Sequence, residues 1–239
     1  MLGRMRDISE LLSSWQQHDP TLPRLTWYGA DDERVELSGR VLANWVIKAA
    51  NLLAEETGGE QDAPVLVDLP QHWRALVWAM GGWLSGAQVH FGPHFTGTGP
   101  DLDSIEVVIT AEPQTAPGAE VLIAVALPAL AMTFEGDLPG GAVDGASDLM
   151  TYPDELMQPA AATDLHAVAE ALDANSASQS AVGLEERALR VLLETSEASG
   201  TTTIGRCLRI WLAGGSVVVV DTGGLDAEQV ANMEEARAW

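Results

Sequence analysis

The chain has 239 residues, 46% of them hydrophobic, and a formal charge of −23 from 35 acidic and 12 basic side chains. A mean hydropathy of +0.06 and a sequence pI near 4.2 belong to a folded globular chain, one able to bury a substantial core or one large and one small lobe. The acidity repels phosphate backbones and anionic lipid, which excludes nucleic acid and membrane surfaces as expected partners. A single cysteine, Cys207, excludes an internal disulfide and a cysteine-rich metal site. Arg4, Arg6, Asp7 and Glu10 interrupt any signal-peptide core. The longest apolar run, Val121 to Met132, is too short to span a bilayer and contains Pro128, so a cytoplasmic location is expected.

In chain order, Ile8, Leu11, Leu12 and Trp15 fall at helical spacing and predict a short amphipathic helix. Leu25 to Tyr28 alternates apolar and polar residues, and Val35-Glu36-Leu37 follows a charged turn. Ser38 stands where an N-cap belongs. After it Val41, Leu42, Trp45, Val46, Ala49 and Leu53 form one apolar stripe, opposite Arg40, Asn44, Lys48, Asn51 and Glu55. Gly58-Gly59 ends that helix. Pro64 to Leu69 reads as a buried strand, Gln71 to Leu84 as a second helix stopped by Gly86, and Ala87 to Phe91 as the next strand. The run from Phe91 to Pro100 is a Gly/Pro-rich loop at a strand's carboxyl end, where open α/β sheets place ligands.

Further strands are expected at 106–110, 121–125, 188–193 and 216–220. Helices are expected over Asp164–Ala174, Thr203–Ala213 and Asp226–Arg237, with a linker from Asn175 to Gly183. The near-continuous Val/Leu/Ile strands imply an α/β fold, a mainly parallel twisted sheet with helices on both faces. Two lobes are expected: a main one over 1–182, including an irregular 133–182 segment, and a smaller strand-helix-strand-helix unit over 183–239.

Several of these segments resemble the adenylate-forming enzymes: acyl-CoA synthetases, luciferases and peptide-synthetase adenylation domains. Leu37 to Asn44 is similar to their L-[ST]-Y-x-E-L-x-x-x-[AS]-N segment, and Val65 to Gln71 to their V-A-L-L-L-P-N strand and turn. Trp78 to Ala87 resembles the A-x-L-A-x-x-K-A-G-A helix end, and Leu208 to Asp221 the L-x-x-L-x-x-G-A-x-x-V-L helix-strand unit. The tryptophan-rich, lysine-poor composition also resembles a group of uncharacterised actinobacterial proteins similar to the front part of those enzymes. The resemblance implies part of their N-terminal domain. It does not bring their chemistry with it, because the matched segments are structural. The ribose-binding Y-x-T-G-D, the adenine-side Y-G-x-[ST]-E and the C-terminal catalytic lysine have no counterpart, the last two lying beyond this length.

Candidate chemistry is sparse. Ser199-Gly200-Thr201-Thr202-Thr203 resembles the family's phosphate loop T-S-G-[ST]-T-G-x-P-K-G, whose glycines let backbone N–H groups approach an anion. Here Thr203 replaces the second glycine, Gly205 the proline, and Arg206 falls in the lysine column. The plainer reading is a hydroxyl-rich N-cap. Gln71 and His72 sit at a strand-to-helix turn facing the expected ligand crevice, though His72 also reads as a helix-start residue. His90 and His94 are four apart, but Gly92-Pro93 breaks any helix between them and with it a metal site. Asp101 and Asp103 lack a nucleophile or metal partner. Gly97-Thr98-Gly99 lacks the third glycine of a dinucleotide loop. Trp45, Trp73, Trp78 and Trp83 read as core, and Cys207 as a buried structural thiol.

The sequence therefore leads to a non-catalytic, truncated AMP-binding-enzyme-like protein acting as a binding or interaction module. The alternatives are a small-molecule (nucleotide or acyl) binder, with Gln71, His72, His90, His94 and Ser199 to Thr202 as candidate ligand-binding residues, and an enzyme of altered mechanism using His72, His90 or His94. No cofactor is implied. A homodimer is expected to cover the apolar surface that longer relatives cover with their own chain.

Overall fold

A computed structural model describes residues 7–29, 33–96, 99–116, 118–173, 189–221 and 226–239. In chain order its elements are α1 (Ile8–Gln17), β1 (Pro23–Tyr28), β2 (Arg34–Ser38), α2 (Gly39–Glu56), β3 (Pro64–Asp68), α3 (Trp73–Ser85), β4 (Gln88–Phe91) and the single turn α4 (Pro93–Thr96). There follow β5 (Val107–Thr110), β6 (Val121–Ala124), β7 (Val143–Asp144), α5 (Leu165–Leu172), β8 (Arg190–Glu194), α6 (Gly200–Leu212), β9 (Ser216–Val220), α7 (Ala227–Met233) and β10 (Arg237–Ala238). The expected linker at 175–183 lies outside the described residues.

The fold is α/β and mainly parallel, but its strands divide between two sheets, and the chain forms two compact units. The first unit comprises residues 1–43 and 164–239. Its sheet runs β10-β8-β9-β1-β2, parallel except for the β1–β2 hairpin. Every residue of Ser216–Val220 is buried, as a parallel strand covered on both faces requires. On one face Tyr28, Leu192, Val218 and Val220 pack against Val230, Ala227 and Ala231 of α7 and against Ala236. The spacing in α1 is realised as expected: Ile8, Leu11, Leu12 and Trp15 are all buried. Trp15 meets Trp211 of α6 edge to face at 5.4 Å, and the Trp211 indole N–H donates to the Arg24 carbonyl at 2.8 Å.

The carboxylate of Glu234, just beyond α7, ties the C-terminal segment to this sheet. It accepts from the Tyr28 hydroxyl (2.5 Å), Arg34 Nη2 (2.9 Å) and Arg190 Nη2 (2.5 Å). Burial alone would raise its pKa, but the hydrogen bonds from Tyr28, Arg190 and Arg34 outweigh that and bring it down to about 2. The expected helix over Asp226–Arg237 therefore ends sooner. It stops at Met233, the chain turns at Glu235 with φ 50°, and Arg237–Ala238 joins the sheet edge beside β8.

The second unit, residues 44–163, holds a sheet of order β4-β3-β5-β6-β7 in which every pairing is parallel. Residues Trp73 to Leu84 of α3 are all buried, which explains a helix with Arg74 as its one charged residue. In α2 two stripe assignments change. Val41 is 42% exposed, whereas Asn51, assigned to the solvent side, is 3% exposed. The polar side of α2 is covered because it binds a strap of irregular chain. Asn51 donates to the Pro153 and Glu155 carbonyls and accepts from the Met157 N–H. Asn44 donates to Asp154, and Lys48 donates to the Tyr152 carbonyl and pairs with Asp154. The composition-poor 133–182 region thus has a fixed path over 152–157, set by side chains of a helix about a hundred residues earlier.

Candidate functional site

In the second unit the chain leaves β3 for the edge strand β4, then returns across β3 to β5. That reversal makes the carboxyl ends of β3 and β5 the crevice where open α/β sheets bind ligands. Asp68 ends β3 there, and Thr110 ends β5. His94, in the turn after β4, brings its Nδ1 to 2.8 Å from Asp68 Oδ1. The contact depends on Gly92, because a Cβ at that position would lie 2.1 Å from Asp68 Oδ1. The His94 side chain is 39% exposed against 19% for Asp68. The carboxylate therefore orients the ring through Nδ1, and the histidine stays the more open of the two to an incoming hydrogen-bond partner.

Gln71 and His72 follow β3 at this same edge and are half-buried. His72 is the N-cap of α3: its Nδ1 accepts from the Arg74 N–H at 3.2 Å. Burial, then the Arg74 charge, pushes its pKa down to about 3, so the ring is neutral and its lone pair is available for the cap. Arg74 is 2% exposed. Its guanidinium lies over Trp73 and Trp45, 4.5 and 5.1 Å from the ring centroids, and donates to the Leu127 and Pro128 carbonyls. This fixes the loop after β6. His90 instead lies within β4, in register with Leu66, and no helix joins it to His94. Among the described residues no group of three or more His, Cys, Asp or Glu is placed to hold a metal ion, and no helix is long and apolar enough to cross a membrane. Asp101 caps a short turn by accepting from the Asp103 N–H.

Ser199, Gly200, Thr201 and Thr202 belong to the first unit and are not gathered with the histidines within one unit. Ser199 is the N-cap of α6. Its hydroxyl accepts from the Thr202 N–H at 3.3 Å and lies 2.9–3.1 Å from the Thr202 and Thr201 hydroxyls, while Thr203 donates through both N–H and hydroxyl to the Ser199 carbonyl. The expected helix start at Thr203 moves to Gly200 because these hydroxyls close its first turn. Gly205 is where α6 meets α5: a Cβ would stand 3.0 Å from the Ala169 carbonyl oxygen and the Asp173 Cβ. Arg206 and Arg209 flank the wholly buried Asp173 carboxylate at 4.0 and 3.3 Å, and the Arg206 guanidinium lies 5.4 Å from the Trp239 ring centroid. Cys207 is fully buried, and burial pushes its thiol pKa well up.

Sequence reasoning missed Asp68, although a carboxylate closing an apolar strand before Leu69-Pro70 was a usable signal. It had no signal for Asp173, which carries the charge balance of α6.

No family model matches the chain. It is 29% identical over 222 residues to a TIGR03089 family protein of Mycobacterium tuberculosis, a match covering 88% of this chain and 87% of that one. An acyl-CoA synthetase from Brucella canis superposes with a TM-score of 0.63 at 18% identity, over 97% of this chain and 45% of its own. The fold is similar to part of the N-terminal domain of acyl-CoA synthetases. An inhibitor-bound N-terminal domain of FACL13 from M. tuberculosis agrees, with a TM-score of 0.54 at 15% identity over 97% of this chain and 61% of that one. The chain thus spans under half of the Brucella synthetase and under two thirds of the FACL13 domain chain, while matching most of the actinobacterial protein.

Proposed function

We propose that this protein is a binding module with the N-terminal fold of acyl-CoA synthetases that does not itself adenylate carboxylic acids. The observation that carries the reading is how Ser199 to Arg206 spend their polar groups. A phosphate loop works through free N–H groups and a mobile cation. Here the Thr202 and Thr203 N–H groups are bonded to Ser199, and Arg206 is held between Asp173 and Trp239. Each lost transition-state contact of this kind costs about 2.7–4 kcal/mol, and several together remove measurable turnover. Pyrophosphate exchange over fatty, aromatic and amino acids is expected to give no signal. Exchange that disappears on Thr202→Ala or Arg206→Ala would overturn the reading.

A second reading, a binder of a nucleotide or acyl molecule, is favoured by the Asp68–His94 pair at the sheet's reversal point. In a thermal-shift panel of ATP, AMP, acyl-adenylates and CoA, it expects one ligand to raise the midpoint, and His94→Ala to cancel that rise. A panel without any shift sinks it.

A further inference from the structure

At the opposite, amino end of the second sheet, a cleft of about 510 Å³ lies beside β5 and β6. Leu102, Ile105, Val108, Ala116 and Ala119 line it, and the exposed Asp103 and Glu120 stand among them. Its volume falls in the range of about 300–1,000 Å³ typical of small-molecule sites. The floor belongs to a cluster of Leu66, Ile105, Val108, Ala116 and Leu122, which draws on strand and loop residues only. Leu102 remains 49% exposed beside it. Apolar side chains thus floor the cleft, polar and charged groups share its wall, and the unit's α-helices do not fill it.

The charge around it is one-sided. The unit carries sixteen Asp and Glu against Lys48 and Arg74. Both cations are committed elsewhere, Lys48 to Asp154 and Arg74 between its two tryptophans. Glu106, next to the cleft, has its pKa raised by burial and then by Glu60 and Glu120, so carboxylates crowd this end of the sheet and neither cation of the unit is shown paired with them.

We propose that the cleft binds a small organic ammonium ion, its apolar body against Ile105, Val108 and Ala116 and its charged nitrogen between Asp103 and Glu120. A carboxylate or phosphate ligand would be repelled by those two groups. A bare metal ion would gain nothing from the apolar floor, and a second copy of a chain of charge −23 would bring more negative charge to a rim already crowded with it. The proposal is independent of the crevice at Asp68 and His94, which lies at the other end of the strands.

The test is an amide NMR titration of the full chain at low salt with 2-phenylethylammonium, 2-phenylethanol and 3-phenylpropionate. Saturable shifts at Val108, Ala116, Gly118 and Ala119 are expected with the ammonium ion, weaker ones with the alcohol, and none with the carboxylate. Asp103→Asn and Glu120→Gln, both at exposed positions, should each weaken ammonium binding about two- to five-fold. The half-buried Ala119→Trp should block it. Equal binding of alcohol and ammonium, shifts confined to residues around His94, or no saturable shift would each overturn the proposal.

Discussion

The two units solve the same problem, a parallel sheet to be covered, with different chemistry. In the first, ten arginines accompany nineteen carboxylates, and ion pairs join segments far apart in the chain: Glu234 to Arg34 and Arg190, Asp173 to Arg206 and Arg209. In the second, the two cations serve backbone carbonyls, tryptophan rings and one carboxylate, Asp154, and α3 is buried from Trp73 to Leu84. The first unit is assembled from two separate stretches of chain, and directional charge–charge contacts help fix which pieces meet. The second is one continuous stretch whose order of strands leaves less to specify, so burial covers its sheet and polar contacts are kept for the strap on α2.

The contrast is most directly broken at Asp173. Replacing both Arg206 and Arg209 with Met leaves a carboxylate of 0% side-chain exposure uncompensated, and should cost about 3–5 kcal/mol in urea unfolding. A neutral result would show that Asp173 reaches water. In the second unit Leu53→Ala removes a side chain of 0% exposure and should cost about 2–5 kcal/mol, by the same amount at pH 7 and pH 4.

Acid should separate the units further. The depressed Glu234 pKa, about 2 against an ordinary 4.5, contributes stability that is fully present above about 4.5 and is lost as pH falls towards 2. Glu234→Gln should flatten that limb of the stability profile and cost about 1.5–3 kcal/mol at pH 7, the scale of hydrogen bonds to charged groups. An unchanged limb would assign acid sensitivity to other carboxylates. The smallest effect is expected at the strap, where Asn51→Ala should cost about 1 kcal/mol. It should also speed amide exchange at Met157, whose N–H the Asn51 carbonyl accepts. Unaltered exchange there would mean that Lys48 and Asn44 hold the strap without Asn51.

How much of this was legible follows from the range of the forces. The Val-rich cores of β3, β5, β6 and β9 announce themselves, since each is a local run of apolar residues, and the α1 stripe and the caps at Asp164, Ser199 and Asp226 are equally local. The division into two sheets was not legible. It rests on pairings such as Leu25 with Val217, which no pattern within either segment encodes. Asn51 reads as a surface residue by its chemistry, and only the return of 153–157 onto α2 makes it a buried one. At the candidate site, the histidine at the strand-to-helix turn was visible, but its task as a cap depends on a lone pair that burial keeps unprotonated. The partnership of His94 with Asp68 depends on β4 lying parallel beside β3, a property of topology.

Lys48 has one more consequence. It is the chain's only lysine, its side chain is 16% exposed, and it is occupied by Asp154 and the Tyr152 carbonyl. The strap therefore covers the one side-chain amine of the sequence. Labelling of Lys48 by an added amine-reactive reagent would then act as a chemical stopwatch for the strap, since the amine is uncovered in the moments when residues 152–154 let go.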